Sequence, residues 1–301
     1  RSWAWGLALA VLGAGCDPGA REPESAEPLA TQEQEALSYN QLSPNGLSFN
    51  GLSFNGLSFN GLSFNGLSSA AFGSWFNMDP VLADEVMRYV VRCAVPAGQT
   101  LTYTESQTNK VHTWTGLLGL APGWSAGAPA TVAEQQVVSA CLAAHANPFG
   151  VSVPISVQGR DGLGQAIAST PEELATFARP ESCFFGNLFQ GQGLYAGSQN
   201  PPLTANQSTT RACAVVDGSG MPRMSCAPLV YVGSCSAACT PDGTGLAFTS
   251  CTAGGVTFQP VTTRVRDADV AVCGDGLCQV TESCGTSNTY NACAADCGAC
   301  P

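Results

Sequence analysis

The sequence predicts an α+β fold: a disulfide-rich central domain with helices followed by a small antiparallel sheet, and a cysteine-stapled C-terminal mini-domain. Three observations carry this reading. The chain has 301 residues and 15 cysteines. With Cys16 set apart at the end of an apolar N-terminal run, Cys93, Cys141, Cys183, Cys213, Cys226, Cys235, Cys239 and Cys251 fall in a long central segment. Cys273, Cys278, Cys284, Cys293, Cys297 and Cys300 crowd the C-terminus. Both groups are even, the arithmetic of paired sulfurs in a compartment outside the reducing cytosol. Second, the helix-start signals of the central segment all lie before Cys183. Third, beyond Cys183 the sequence becomes short β-prone runs separated by Gly, Ser, Thr and Pro.

Residues 1–16 read as a signal peptide. The run before Cys16 is apolar or small and too short to span a bilayer as a helix, which suits the hydrophobic part of an export signal. Only Arg1 remains of a basic leader, and without an initiator Met the chain is expected to start inside its own signal. Leu12, Gly13, Ala14, Gly15 and Cys16 resemble a lipobox, displaced by one residue because Leu12 stands four positions before the cysteine. The resemblance implies acylation of Cys16 and a membrane tether; an ordinary cleaved signal is the alternative.

Residues 17–38 are an acidic stretch, with Asp17, Glu22, Glu24, Glu27, Glu33 and Glu35 against Arg21, and read as a disordered, solvated spacer. Residues 39–68 then repeat a five-residue unit, FNGLS in its commonest form, without one charge. A period of five keeps its leucines on one face of neither a helix nor a strand. The unit resembles a pentapeptide-repeat β-helix, except that Gly takes the place before Leu where that family has Asn or Asp. Six units fall short of a stable solenoid, so a stalk of Asn-Gly turns is the preferred reading.

The central domain is expected over residues 70–270. Asp79-Pro80 supplies a helix cap and a first-turn proline, after which Leu82, Val86, Tyr89, Val90 and Cys93 share a face. Thr131 with Glu134 forms a capping box for a second helix that buries Val137, Ala140, Cys141 and Ala144 and stops at Asn147-Pro148. Because both helices carry a cysteine on the apolar face, Cys93 is expected to pair with Cys141. Residues 151–157 read as a strand, near a sheet edge because of Pro154. Thr170 to Glu173 opens a third, short helix. Strands are then expected near residues 229–232, 246–249 and 256–265. The six cysteines from Cys183 to Cys251 leave their pairing open.

GLLGLAPGW at residues 116–124, VVSACLAAHAN at 137–147 and ESCFFGNLF at 181–189 resemble blocks of uncharacterised secreted lipoproteins of myxobacterial type, which often carry NGLS repeats and a CGDG tail. The resemblance covers most of the chain. It implies export and a shared fold, and no activity.

The net charge of −11, with Lys110 the single lysine, argues against nucleic acid as a partner, because phosphate backbones are held by clustered Lys and Arg. The sequence has no G-x-S-x-G, no HExxH and no phosphate-cradling glycine loop. His112 and His145 are the only histidines. His145 reads as a cation complementing a helix C-terminus, and His112 as an exposed loop or strand residue. A carboxylate-pair hydrolase would have to draw on Glu181 first, then Asp161 or Glu85, while Glu134 is explained as a cap. Trp114, Trp124, Phe184, Phe185 and Phe189 read as core rather than as a sugar-binding face.

The tail, residues 271–301, holds too few apolar side chains for a core of its own and depends on its cysteines. Its pattern resembles short CGDG modules of secreted bacterial proteins. Asp275, Glu282 and Asp296 are its acids, and calcium, which favours hard oxygen ligands, is the one cofactor considered. The sequence therefore points to an exported, lipid-anchored envelope or surface protein with a binding or structural role. Its partners would be the membrane, through Cys16, and an extracellular or envelope ligand. The alternative is a secreted hydrolase of glycans or peptides on the same anchor.

Overall fold

A computed structural model of the chain describes residues 37–39, 67, 70–149, 153–286 and 291–300. The expected signal segment with Cys16, nearly all of the expected spacer and most of the five-residue repeat lie outside the described residues. At the boundary between spacer and repeat, β1 (Leu37–Tyr39) is a strand.

Helix α1 (Ala70–Phe76) buries Phe72, Trp75 and Phe76. Helix α2 (Pro80–Ala94) starts as expected: the Asp79 carboxylate accepts the Leu82 amide at 3.0 Å, Pro80 occupies the first turn, and one face from Ala83 to Ala94 is buried. A two-stranded ribbon follows, β2 (Thr100–Thr104) with β3 (Val111–Thr115). Its alternation is strict in β3, with His112 and Trp114 buried and their neighbours exposed. After the short α3 (Pro122–Ser125) comes α4 (Val132–His145), whose capping box between Thr131 and Glu134 is complete. Every residue of α4 from Glu134 to His145 is buried, polar ones included. A helix covered on all sides is an internal element rather than an amphipathic surface one. It packs on α2 and, across its other side, on the main sheet.

That sheet has six strands in the order β1, β4 (Pro154–Gly159), β12 (Val261–Val265), β5 (Arg179–Gly186), β6 (Leu194–Ser198) and β8 (Leu229–Ser234). Every neighbouring pair is antiparallel except β6 with β8, which is parallel. Helix α5 (Pro171–Thr176), capped by Thr170, bridges β4 and β5. Six consecutive residues of β5, Glu181 to Gly186, are buried because both faces are covered. Phe184 joins the helical core, while Cys183 and Phe185 join a second cluster with Phe248 and Phe258. The second cluster is closed by α6 (Cys235–Ala238) and by a three-stranded antiparallel sheet of β9 (Cys239–Pro241), β10 (Phe248–Ala253) and β11 (Val256–Phe258). Gly186 ends β5 at a φ of 138°, and a Cβ there would stand 2.2 Å from the Gly193 carbonyl oxygen. Only glycine fits that approach.

The fold is thus α+β and disulfide-rich, and one expectation about its sheets is corrected while another is met. The run expected at residues 256–265 is broken before Val261, and its second half enters the middle of the large sheet instead of the small one. The strand carrying Pro154 lies near the edge as expected, flanked on its outer side by the three-residue β1 alone; Pro154 pairs with Tyr39 at the end of that short contact.

All fourteen cysteines from Cys93 onward are paired. Cys93 bonds Cys141 as expected, and Cys183–Cys235, Cys213–Cys226 and Cys239–Cys251 complete the central set. The tail pairs in a stepped order, Cys273–Cys293, Cys278–Cys297 and Cys284–Cys300. The tail also joins the main body: β13 (Ala271–Val272) pairs with β7 (Gln207–Ser208), and the Cys273 amide donates to the Asn206 carbonyl at 2.8 Å. The short α7 (Ala294–Cys297) lies at its end.

Candidate functional site

The acids that sequence reasoning nominated for catalysis lie on separate elements with separate structural partners. Glu181 is the extra residue of a β-bulge, where Ser182 and Pro180 oppose Thr263 and Arg264. Bulges re-aim side chains, and here the carboxylate meets a buried guanidinium. Arg211 Nε donates to Oε1 at 2.5 Å and Nη2 to Oε2 at 3.3 Å, with both side chains at most 2% exposed. Arg211 also donates to the Ala146 carbonyl at 3.3 Å and lies 5.6 Å from the centre of the Phe184 ring. A carboxylate held on both oxygens in a closed core is a structural ion pair. Asp161 closes the turn after β4, accepting the Leu163 and Gln165 amides at 2.9 and 2.8 Å. Glu85 sits on α2, half-buried; burial pushes its carboxyl up, opposed by the Arg88 charge.

His112 departs from expectation, being buried on the inner face of β3 rather than exposed. Its Nδ1 donates to Asp84 Oδ1 at 3.0 Å, beside the Trp114 indole N–H at 2.7 Å, and Arg88 reaches Asp84 Oδ2 at 3.0 Å. Burial raises the Asp84 carboxyl, but the Trp114 and His112 hydrogen bonds and the Arg88 charge outweigh it and leave it below the ordinary carboxylate range. On the other side of the ring Glu105 Oε2 stands 3.7 Å from Nε2, while Thr108 donates to the same oxygen at 2.7 Å. No hydroxyl or thiol hydrogen-bonds Nε2 among the described residues. The imidazole side chain is only 2% exposed. The arrangement lacks the nucleophile and the substrate access of a hydrolytic triad. It joins α2 to the β2–β3 ribbon.

His145 corrects a second expectation. It is fully buried at the end of α4, its Nδ1 donating to the Cys141 carbonyl at 2.8 Å and lying 3.6 and 3.9 Å from the sulfurs of Cys141 and Cys93. Burial above all, then the Arg92 charge, lowers its pKa to about 3, against the opposing effect of the Cys141 carbonyl. It is therefore neutral at physiological pH and does not act as a cation on the helix dipole.

Glu134 does more than the capping box required. Beside the Thr131 amide at 2.8 Å, it accepts the Gly123 and Trp124 amides at 2.6 and 3.2 Å, so one carboxylate closes the N-termini of both α3 and α4. Gly162 makes room for it, since a Cβ there would lie 2.3 Å from Glu134 Cγ. A second polar network, also without a sequence signal, runs through β4: Ser156 donates to Glu173 at 2.5 Å and receives Gln158 at 2.6 Å. Burial raises the Glu173 carboxyl against the Ser156 and Thr170 hydrogen bonds.

In the tail, Asp296 accepts the Gly274 and Gly276 amides at 2.6 and 2.9 Å, and Asp275 accepts the Leu277 amide and the Gln279 side chain at 2.9 and 2.8 Å. Glu282 and Asp296 converge within 4.8 Å of each other and of the Cys273 and Cys293 sulfurs, without Asp275. Those sulfurs form a disulfide, so two carboxylates are the hard ligands of that cluster. The other groupings of potential ligands, Cys93 with Cys141 and His145, and Cys183 with Cys239 and Cys251, likewise consist of disulfide sulfur and offer no thiolate.

Among the described residues, two openings are large enough to receive a small ligand. One, of about 590 Å³, is a broad groove between α1 and β2, bordered by Ser74, Asn77, Thr102, Tyr103 and Thr104, with Leu67 at its rim. The other, of about 400 Å³, lies at the carboxyl ends of β6 and β8, facing the β9–β10 hairpin. Glu85, Asp161, Glu181, His112 and His145 border neither. Comparison of the chain with family models, curated proteins and solved structures finds no match in any of the three.

Proposed function

We propose that the chain is an exported envelope or surface protein, tethered through an acyl group on Cys16, whose disulfide-built domain binds a ligand without turning it over. The observation that carries the reading is the pairing of all fourteen cysteines beyond Cys16 into seven bridges, which leaves Cys16 as the one sulfur with another task. Disulfides in this number fit an extracellular or envelope compartment. No helix of the described residues is long and apolar enough to cross a membrane, and a lipid supplies attachment without one. The binding role draws on the placement of the polar residues: Glu181, Asp84, Glu134 and His145 hold elements together, whereas the two openings are lined by apolar side chains and neutral hydroxyls and amides, without a charged group.

Metabolic labelling with an alkyne fatty acid, followed by intact-mass analysis, tests the tether. The mature protein is expected to begin at Cys16, to carry acyl chains there and to contain no free thiol. Cys16→Ala is expected to lose the label and to leave the membrane fraction. Reproducible hydrolysis of polysaccharide or peptide, abolished in Glu181→Gln with the fold intact, would replace the binding role with the hydrolase.

A further inference from the structure

We infer that the cleft at the carboxyl ends of β6 and β8 is a binding site for a neutral, polyhydroxylated ligand, a sugar unit of an uncharged saccharide. The inference rests on the binding role proposed above and gives that role a place and a ligand class.

The cleft has a topological origin. Strands β6 and β8 are the single parallel pair of the large sheet, with Ser198 in register with Ser234, so both strands end on the same side. Crevices at the carboxyl ends of parallel strands, where the chain leaves in different directions, are recurrent ligand sites. Here β6 runs on into Gln199 and Asn200, β8 turns into α6 at Cys235, and the β9–β10 hairpin closes the far wall with Pro241, Ala247 and Phe248. The Asp242 amide donates to the Ala247 carbonyl at 3.1 Å, which fixes that hairpin. A volume of about 400 Å³ lies within the range of small-ligand pockets, roughly 300–1,000 Å³.

The lining sets the ligand chemistry. Its polar side chains are Ser198, Gln199, Asn200, Ser234 and Ser236, and no Asp, Glu, Lys or Arg is among the lining residues. An ionic ligand would lose hydration there without a countercharge. Donors and acceptors are mixed. Asn200 Oδ1 is engaged by Arg179 Nε at 3.2 Å, which orients the amide and leaves its NH₂ as a donor. Ser234 and Ser236 exchange one hydrogen bond at 3.1 Å and sit on the exposed rim.

Two acceptors have no partner among the described residues: Ser198 Oγ, on a residue only 6% exposed, and Gln199 Oε1. Buried polar atoms are ordinarily hydrogen-bonded. Both residues border the cleft, so a ligand rich in hydroxyls can partner them once the Ser198 hydroxyl and the Gln199 amide turn toward it. It would also lay its C–H surface on Pro241 and Ala247.

The test uses the full chain and a panel of neutral oligosaccharides, the glucose and N-acetylglucosamine series, beside anionic polygalacturonate, read by saturation-transfer NMR and titration. Saturable binding of a neutral member is expected. Ser236→Trp fills the cleft from an exposed position and should weaken binding by about tenfold or more, as should Gln199→Ala. Val81→Trp, at an exposed position of α2 that borders neither opening, should leave binding unchanged. A parent-like circular dichroism spectrum and urea midpoint confirm that each variant is folded. The inference fails if no neutral saccharide binds, if polygalacturonate is preferred, or if Ser236→Trp and Gln199→Ala both bind like the parent. If the inference fails in this way but the chain carrying Cys16→Ala, which lacks the tether, still co-sediments with envelope material, the broader binding role stands and only this cleft is lost.

Discussion

His145 makes the stability of this domain depend on pH in a calculable way. The side chain takes up a proton near pH 6.5 in an unfolded chain, but in the folded protein its pKa is lowered to about 3. Between these values the unfolded state holds a proton that the folded state refuses. The His145 contribution is therefore complete above pH 6.5 and is lost as the pH falls. At pH 5, about 1.5 units below the unfolded pKa, proton uptake stabilises the unfolded state by about 2 kcal/mol at 1.36 kcal/mol per unit, while the folded imidazole stays neutral.

His145→Asn places an amide N–H near the Nδ1 position, so the hydrogen bond to the Cys141 carbonyl can persist while the titration disappears. Urea unfolding of parent and variant at pH 7, 6 and 5, with disulfides intact, measures both slopes. The parent should lose about 2 kcal/mol more than the variant between pH 7 and pH 5. Glu85 and Glu173, whose raised pKa values act in the opposite direction, are common to both proteins and cancel in the difference. Parallel pH profiles would show that the imidazole titrates normally inside the fold and would refute the reasoning.

Glu181→Gln leaves the Arg211 guanidinium buried without its countercharge and should cost about 3–5 kcal/mol in urea unfolding; Glu181→Leu combined with Arg211→Met should recover most of it. Glu134→Ala removes the shared acceptor of three backbone amides and is expected to cost about 2–4 kcal/mol, with new protease cleavage near α3. Replacing Cys93 and Cys141 together by Ala opens a loop with a sequence separation of 48 and should lower stability by roughly 4 kcal/mol, read as a shift in the urea midpoint. Asp84→Asn places an amide N–H against Arg88 and should cost about 1–3 kcal/mol while loosening the β2–β3 ribbon, visible as faster amide exchange at Trp114.

The features that sequence made visible are local. The cap at Asp79, the capping box at Thr131 and the cysteines on two apolar helix faces are each written within a few residues, and α2, α4, α5 and the Cys93–Cys141 bridge follow from them. The central sheet depends on pairings between distant segments, and neither the insertion of β12 between β4 and β5 nor the parallel β6–β8 pair has a local signature. His112 was within reach. VHTWT alternates at period two, so the burial of Trp114 implies that of His112. Glu181 was not, because the bulge that turns its carboxylate toward Arg211 arises from the register of a partner strand. The cleft at Ser198 and Ser234 is equally silent in sequence, since serines and glycines beyond a strand end read as loop until the neighbouring strand is known.

The stepped pairing of the tail has a practical consequence for any molecule displayed outside a cell. Because the first sulfur bonds the fourth, the second the fifth and the third the sixth, every peptide bond between Cys273 and Cys300 is spanned by at least one bridge. A single cut anywhere in that stretch adds one water and releases nothing. Such damage would stay invisible until a reductant separates the pieces.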